Sequence, residues 1–199
     1  SAASDVYKRQ VMIVLLYFRF PDFFGHANSR VMEPWGDGYK AYMAIYNHAA
    51  HDSTFAHFEG MNYPYGEHAV PGATQPLISN TIKFISRNIA DVTDYTIGVV
   101  NWSMLLGILL CAVFCYLLFT RLELPPLYSA LVAIGIAFLN PQMVRMGAHY
   151  GLAHPEVMPV IFYLLLRYEQ SRSWKWSLAV AMAVWCFSLI HFYYFAIMG

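Results

Sequence analysis

The stretch Ile97 to Phe119, IGVVNWSMLLGILLCAVFCYLLF, carries no charged residue and exceeds the roughly 20 apolar residues that a helix needs to cross a bilayer. The rest of the chain takes its meaning from that span. Downstream, Arg121 and Glu123 lead into Pro125-Pro126, a turn, and Leu127 to Leu139 is the next apolar run, closed by Asn140-Pro141. Val157 to Leu166 spans only if it borrows residues on either side, and Ser177 to Met198 is the last apolar run. Upstream, Val11 to Phe20 is apolar apart from Arg19, and Pro21-Asp22 marks its exit. The expected fold is all-α: a polytopic transmembrane helical bundle with spans at 11–20, 97–119, 126–140, 155–168 and 177–199, and a long outer loop, 21–96, bearing interfacial amphipathic helices.

Composition points the same way. Hydrophobic residues make up 58% of the chain and charged ones 12%, against about 25% charged in soluble domains; mean hydropathy is +0.43. Such a chain has the lipid bilayer as its first partner. A net charge of zero gives no electrostatic basis for a nucleic-acid partner. Cys111, Cys115 and Cys186 lie in apolar runs and read as small buried hydrophobes.

Ser1 to Gln10 matches the in-frame translation of a transposase-type sequencing adapter and reads as an artefact outside the fold. Gly199 falls inside an apolar run with no polar tail, so 11–199 reads as the N-terminal part of one membrane domain.

The short turns Arg121–Pro126 and Arg167–Trp176 are separated by two crossings and hold Arg121, Arg167, Arg172 and Lys175, whereas Gln142–His154 holds only Arg145. By the positive-inside rule the basic turns are cytoplasmic. Gln142–His154 then shares the outer face with the long loop. Within that loop, Tyr39 to Ala50 has helical periodicity in Tyr39, Tyr42, Met43, Tyr46 and Ala50, while Phe55 to His68 is turn-rich. Leu77 to Ile89 predicts a second amphipathic helix, with Ile78, Ile82, Ile85 and Ile89 on one stripe and Lys83 and Arg87 elsewhere. Both helices suit the interface plane.

The polar loop holds most of the candidate chemistry. Glu33 and Asp37 flank Pro34 and Gly36 and read as acids at a turn, where Gly36 and Gly38 let backbone approach a ligand. Asp37 has two readings: a base or divalent-cation ligand, or a cap of the Tyr39 helix. His48 and Asp52, four residues apart, are a further candidate metal pair; the default reading is interfacial hydrogen bonding. A divalent cation is the one cofactor these residues suggest. Glu59, Tyr63, Glu67 and His68 sit among aromatics and turns that suit carbohydrate or prenyl phosphate, or a loop folded on headgroups. Arg145, His149 and His154 in the second outer turn could hold a phosphate leaving group or anchor headgroups. His191 sits deep in the last apolar run and needs a polar partner.

An opening helix, a long outer loop with an acid near its start and two interfacial helices, then short-looped spans, resembles the GT-C class of integral-membrane glycosyltransferases. Gly36-Asp37-Gly38-Tyr39-Lys40 and Asn62-Tyr63-Pro64-Tyr65-Gly66-Glu67-His68 also look like bacterial membrane proteins of this type. The resemblance implies transfer of a sugar from a polyprenyl-phosphate donor, the lipid-linked sugar being the partner. It implies Asp37, with Glu33 as second candidate, as base or metal ligand, and a bacterial inner-membrane location with the loop outside the cytoplasm. The alternative is a non-enzymatic transporter or flippase.

Overall fold

The computed structural model describes residues 2–198, with side chains described from Gln10 onward. The chain is predominantly helical. In order it forms α1 (Ala2–Arg19), α2 (Pro21–His26), α3 (Gly36–Ala50), β1 (His57–Phe58), β2 (Glu67–His68), α4 (Pro76–Asn88), α5 (Thr96–Arg121), α6 (Pro126–Leu139), α7 (Gln142–Arg145), α8 (Val157–Ser171), α9 (Trp174–Ile190) and α10 (Phe192–Met198). Single 3-10 turns lie at Thr93–Tyr95 and Tyr150–Leu152. Among the described residues the only sheet is the antiparallel pair β1–β2, in register His57 with His68 and Phe58 with Glu67.

Among the described residues, two helical runs are long and apolar enough to cross a membrane: Thr93–Arg121, 29 residues, and Pro126–Arg145, 20 residues. The second contains a bend. Pro141 disfavours helical backbone at the preceding residue, and Asn140 is extended (φ −62°, ψ 134°). At 15 residues, α8 is shorter than the roughly 20 needed alone.

The helix α5 is the central pillar. Val100, Met104, Ile108 and Cys111 on it are fully buried, and α1, α3, α4, α6 and α8 all pack against it. Helices α1, α6 and α9 instead turn Phe18, Leu131 and Trp185 outward.

Asn101 of α5 ties the polar loop down. Its Nδ2 donates to the carbonyls of Ala27 (2.6 Å) and Arg30 (2.7 Å), and its Oδ1 accepts the Tyr42 hydroxyl. Asn28 adds a second tie, accepting the Gly98 N–H at 2.9 Å. The amphipathic helices α3 and α4 turn Ala41, Tyr42 and Ile45, and Ile78 and Ile82, into the protein core. They pack on each other, on α5, and through α4 on α9.

The last apolar run, expected as one span over 177–199, is broken. His191 is extended (φ −153°, ψ 128°) and separates α9 from α10. Its Nδ1 accepts the Tyr193 N–H at 3.2 Å, which caps the new helix. The stripe reading of α4 also changes: Lys83 is fully buried, while Ile89, past the helix end, is 76% exposed.

Candidate functional site

The loop from Met32 to Gly38 sets the site. Gly36 has φ +56°, a left-handed value that glycine adopts freely, and from there α3 starts earlier than its apolar periodicity implies. Trp35 is the N-cap residue and Asp37 lies inside the first turn. Asp37 is therefore not the cap. Its carboxylate is exposed at the positive end of the helix dipole.

Two tyrosines fix this loop. Tyr42 and Tyr150 pack with ring centroids 4.7 Å apart. The Met32 N–H donates to the Tyr42 hydroxyl at 3.3 Å, and the Glu33 N–H to the Tyr150 hydroxyl at 3.0 Å. Burial raises the pKa of both tyrosines, so both hydroxyls stay protonated at neutral pH. Gly38 sits beneath: a Cβ there would meet the Tyr150 hydroxyl at 2.6 Å.

The result is a cavity of about 250 Å3 between the start of α3, the segment before α4, the Tyr150–Leu152 turn and the α9–α10 break. Its polar wall comprises Asp37, Lys40, Gln75, His149, Tyr150 and His191. Gly151 presses on the break, since a Cβ there would lie 2.7 Å from the His191 ring. Non-helical backbone within an apolar run is tolerated where it is enclosed by protein or lines a cavity.

Of the expected residues, Asp37 and His149 share this cavity. Glu33 does not line it; its main chain is the structural element, held by Tyr150. Arg145 is exposed at the end of α7 and is off the cavity wall, which this turn joins only from Ala148 onward. His154 is buried (1% exposed), its Nδ1 paired to the Glu156 carboxylate at 2.9 Å. The other atoms of that pair, His154 Nε2 and Glu156 Oε2, have no protein partner. Glu156 lies against α5 at Gly107, where a Cβ would come within 2.4 Å of Oε2.

Glu59, Tyr63, Glu67 and His68 belong to the hairpin, not the cavity wall. Tyr63 is 93% exposed. The Glu59 N–H donates to Asp52 Oδ1 at 3.2 Å, Glu67 accepts Asn62 Nδ2 at 2.8 Å, and His68 Nδ1 accepts the Val70 N–H at 3.2 Å.

His48 and Asp52 form a separate buried latch. His48 Nδ1 contacts Asp52 Oδ2 at 2.5 Å and its Nε2 contacts Asn80 Oδ1 at 2.9 Å, so both ring nitrogens are already engaged. Arg87 donates to the Asp52 carbonyl at 2.7 Å, and Lys83 donates to the Thr54 carbonyl. The Lys83 side chain is held below its ordinary pKa by burial. Among the described residues no group of three or more His, Cys, Asp or Glu side chains is disposed to hold a metal ion.

Lys40, Gln75 and Glu156 were not singled out by the sequence. Lys40 lay within the helix predicted over Tyr39–Ala50, three residues from Asp37, and helical spacing could have placed it on that face. Gln75 and Glu156 follow no pattern.

No curated protein and no solved structure matches this chain. A family model described as a domain of unknown function, DUF6311, matches residues 11–199, and the chain belongs to that family.

Proposed function

We propose that this protein is a polytopic membrane glycosyltransferase of GT-C type, moving a sugar from a polyprenyl-phosphate donor to an acceptor hydroxyl at the outer face of a bacterial inner membrane. The supporting observation is that Asp37 shares one cavity wall with Lys40 of its own helix and with His149 and His191 from a distant part of the chain. The outward apolar faces of α1, α6 and α9 suit lipid; Thr93–Arg121 and Pro126–Arg145 are long enough to span, and in this reading α8 and α9 complete the bundle by borrowing flanking residues.

In the reaction, Asp37 accepts the proton of the acceptor hydroxyl. The hydroxyl oxygen bonds to the anomeric carbon as the bond to the phosphate oxygen breaks, and that electron pair leaves on the prenyl phosphate. Lys40 and His149 stabilise the departing charge. Asp37 is the single carboxylate among the lining residues. A divalent cation held by protein ligands alone does not fit this wall; a cation would need Asp37 together with the substrate's phosphates. The test is incubation of the protein in nanodiscs with a panel of polyprenyl-phosphate sugars and acceptor lipids. Sugar transfer supports the reading; no transfer from any donor refutes it.

One observation favours a transporter instead. The α9–α10 break at His191 and the buried His154–Glu156 pair are ionisable groups beside a discontinuous helix, a pattern transporters share. Substrate flux in proteoliposomes without covalent transfer would select that alternative.

A further inference from the structure

A second cavity, of about 400 Å3, opens between the end of α1, the start of α2, Met32 and the α7 turn, and it shares no residue with the Asp37 cavity. Two charged side chains line it, Arg19 and Asp22, and every other wall residue is apolar, Phe23, Met32 and Met143 among them. Both charged residues are exposed, so neither is sealed off from a ligand. Among the described residues no ion pair joins them. The Arg19 guanidinium instead lies over the Phe20 ring, 4.9 Å from its centroid. The cavity also sits where two apolar runs end, α1 at Arg19 and α6 at Leu139. The residues at those ends, Phe18 (75% exposed) and Leu139 (84% exposed), are turned outward. Charged groups at the ends of outward-facing apolar runs form the layering of a membrane–water interface.

We propose that this cavity binds the headgroup of phosphatidylethanolamine, with Arg19 on the phosphate and Asp22 on the ammonium. The inference rests on the membrane location in the reading above and is independent of sugar transfer. The wall selects the occupant by charge. One cation and one carboxylate match a zwitterion and oppose any single charge: an anionic headgroup meets Asp22, and a metal ion meets Arg19. A sugar finds few hydrogen-bonding partners among phenylalanine and methionine. Among zwitterions, the ammonium of ethanolamine brings three N–H donors to a carboxylate, whereas the quaternary ammonium of choline brings none. Choline is held best by aromatic faces, and the Phe20 face is taken by Arg19. Arginine suits the phosphate because its fork can hold two oxygens at once. The acyl chains then lie along the outward faces at Phe18 and Leu139.

The experiment titrates the full chain, in detergent micelles, with phosphatidylethanolamine, phosphatidylcholine and phosphatidylglycerol of the same acyl chains, and counts bound lipid by native mass spectrometry. Wild type should hold phosphatidylethanolamine about tenfold more tightly than phosphatidylcholine, the worth of one hydrogen bond to a charged group. Asp22→Asn should bring the two to parity, and Asp22→Glu, which keeps the charge, should keep the preference. Arg19→Gln should weaken both by about tenfold. Melting temperatures in lipid-free micelles check that each variant is folded. Equal affinity of the wild type for the two zwitterions, or a preference that survives Asp22→Asn, overturns the proposal. Tighter binding of phosphatidylglycerol also overturns it, and marks a simple cationic site. A dimer that holds no lipid overturns it too, and marks the groove as a contact between copies of the chain. Each of these outcomes leaves the transferase reading intact if sugar transfer is observed. A chain that stays soluble without detergent and binds none of the three lipids removes the membrane reading as well.

Discussion

The Tyr150 hydroxyl accepts the backbone N–H of Glu33 at 3.0 Å, joining two segments 117 residues apart in the chain. This bond connects the first polar loop to the second turn, and the cavity lies between what it joins. Tyr150→Phe removes the acceptor and strands a part-buried N–H. The loss should be about 1–3 kcal/mol of stability, read by thermal unfolding in detergent. Any activity that depends on Asp37 should fall with it, because Asp37 follows Glu33 by four residues.

Gly38→Ala tests the same clamp from below. In an ordinary helix, alanine gains up to about 1 kcal/mol over glycine. Here the added methyl would lie 2.6 Å from the Tyr150 hydroxyl and 3.1 Å from the Glu33 carbonyl. Overpacking of that kind costs about 1–3 kcal/mol. The variant should melt lower than wild type; a higher melting point would mean that the Tyr150 contact is not tight.

The buried tyrosines set a pH limit. Burial raises the pKa of Tyr42 and Tyr150 in the folded chain above the value of about 10 that they have when unfolded. A proton held more tightly in the folded state stabilises it fully below the unfolded value, and that contribution is lost as pH rises toward the folded value. Melting temperature should therefore be flat near neutrality and fall above about pH 10. In Tyr42→Phe, which cannot ionise there, the alkaline fall should be shallower, although the variant starts lower for want of its bond to Asn101.

The latch at the far end of α3 is structural. Asp52→Ala leaves His48 Nδ1 and the Glu59 N–H without their acceptor. A buried donor left without its acceptor costs about 1–3 kcal/mol, and two are stranded here, so this variant should melt well below wild type. The latch lies off the cavity wall, so any sugar transfer should survive at temperatures where the variant stays folded.

The all-α character was legible because α5 is an uninterrupted apolar run, and the helices α3 and α4 because their apolar residues repeat at helical spacing. What escaped the sequence depends on tertiary contact. Lys83 is polar by type and sits off the isoleucine stripe, yet it is buried because Thr54 and His48 fold over it. The break at His191 has no proline or glycine to announce it; it coincides with Gly151 packing against that ring. Arg145 looked like the phosphate ligand because charge is visible in a sequence, whereas which residues of that turn reach the cavity wall, from Ala148 onward, is not.

The most direct measurement compares sugar transfer from polyprenyl-phosphate donors by wild type, Asp37→Asn and Arg145→Ala, each shown to be folded. The geometry predicts that Asp37→Asn loses about 10²–10⁴-fold of the rate, the usual worth of a positioned base, while Arg145→Ala, off the cavity wall, keeps most of it. Full transfer by Asp37→Asn, or a collapse confined to Arg145→Ala, would contradict the account.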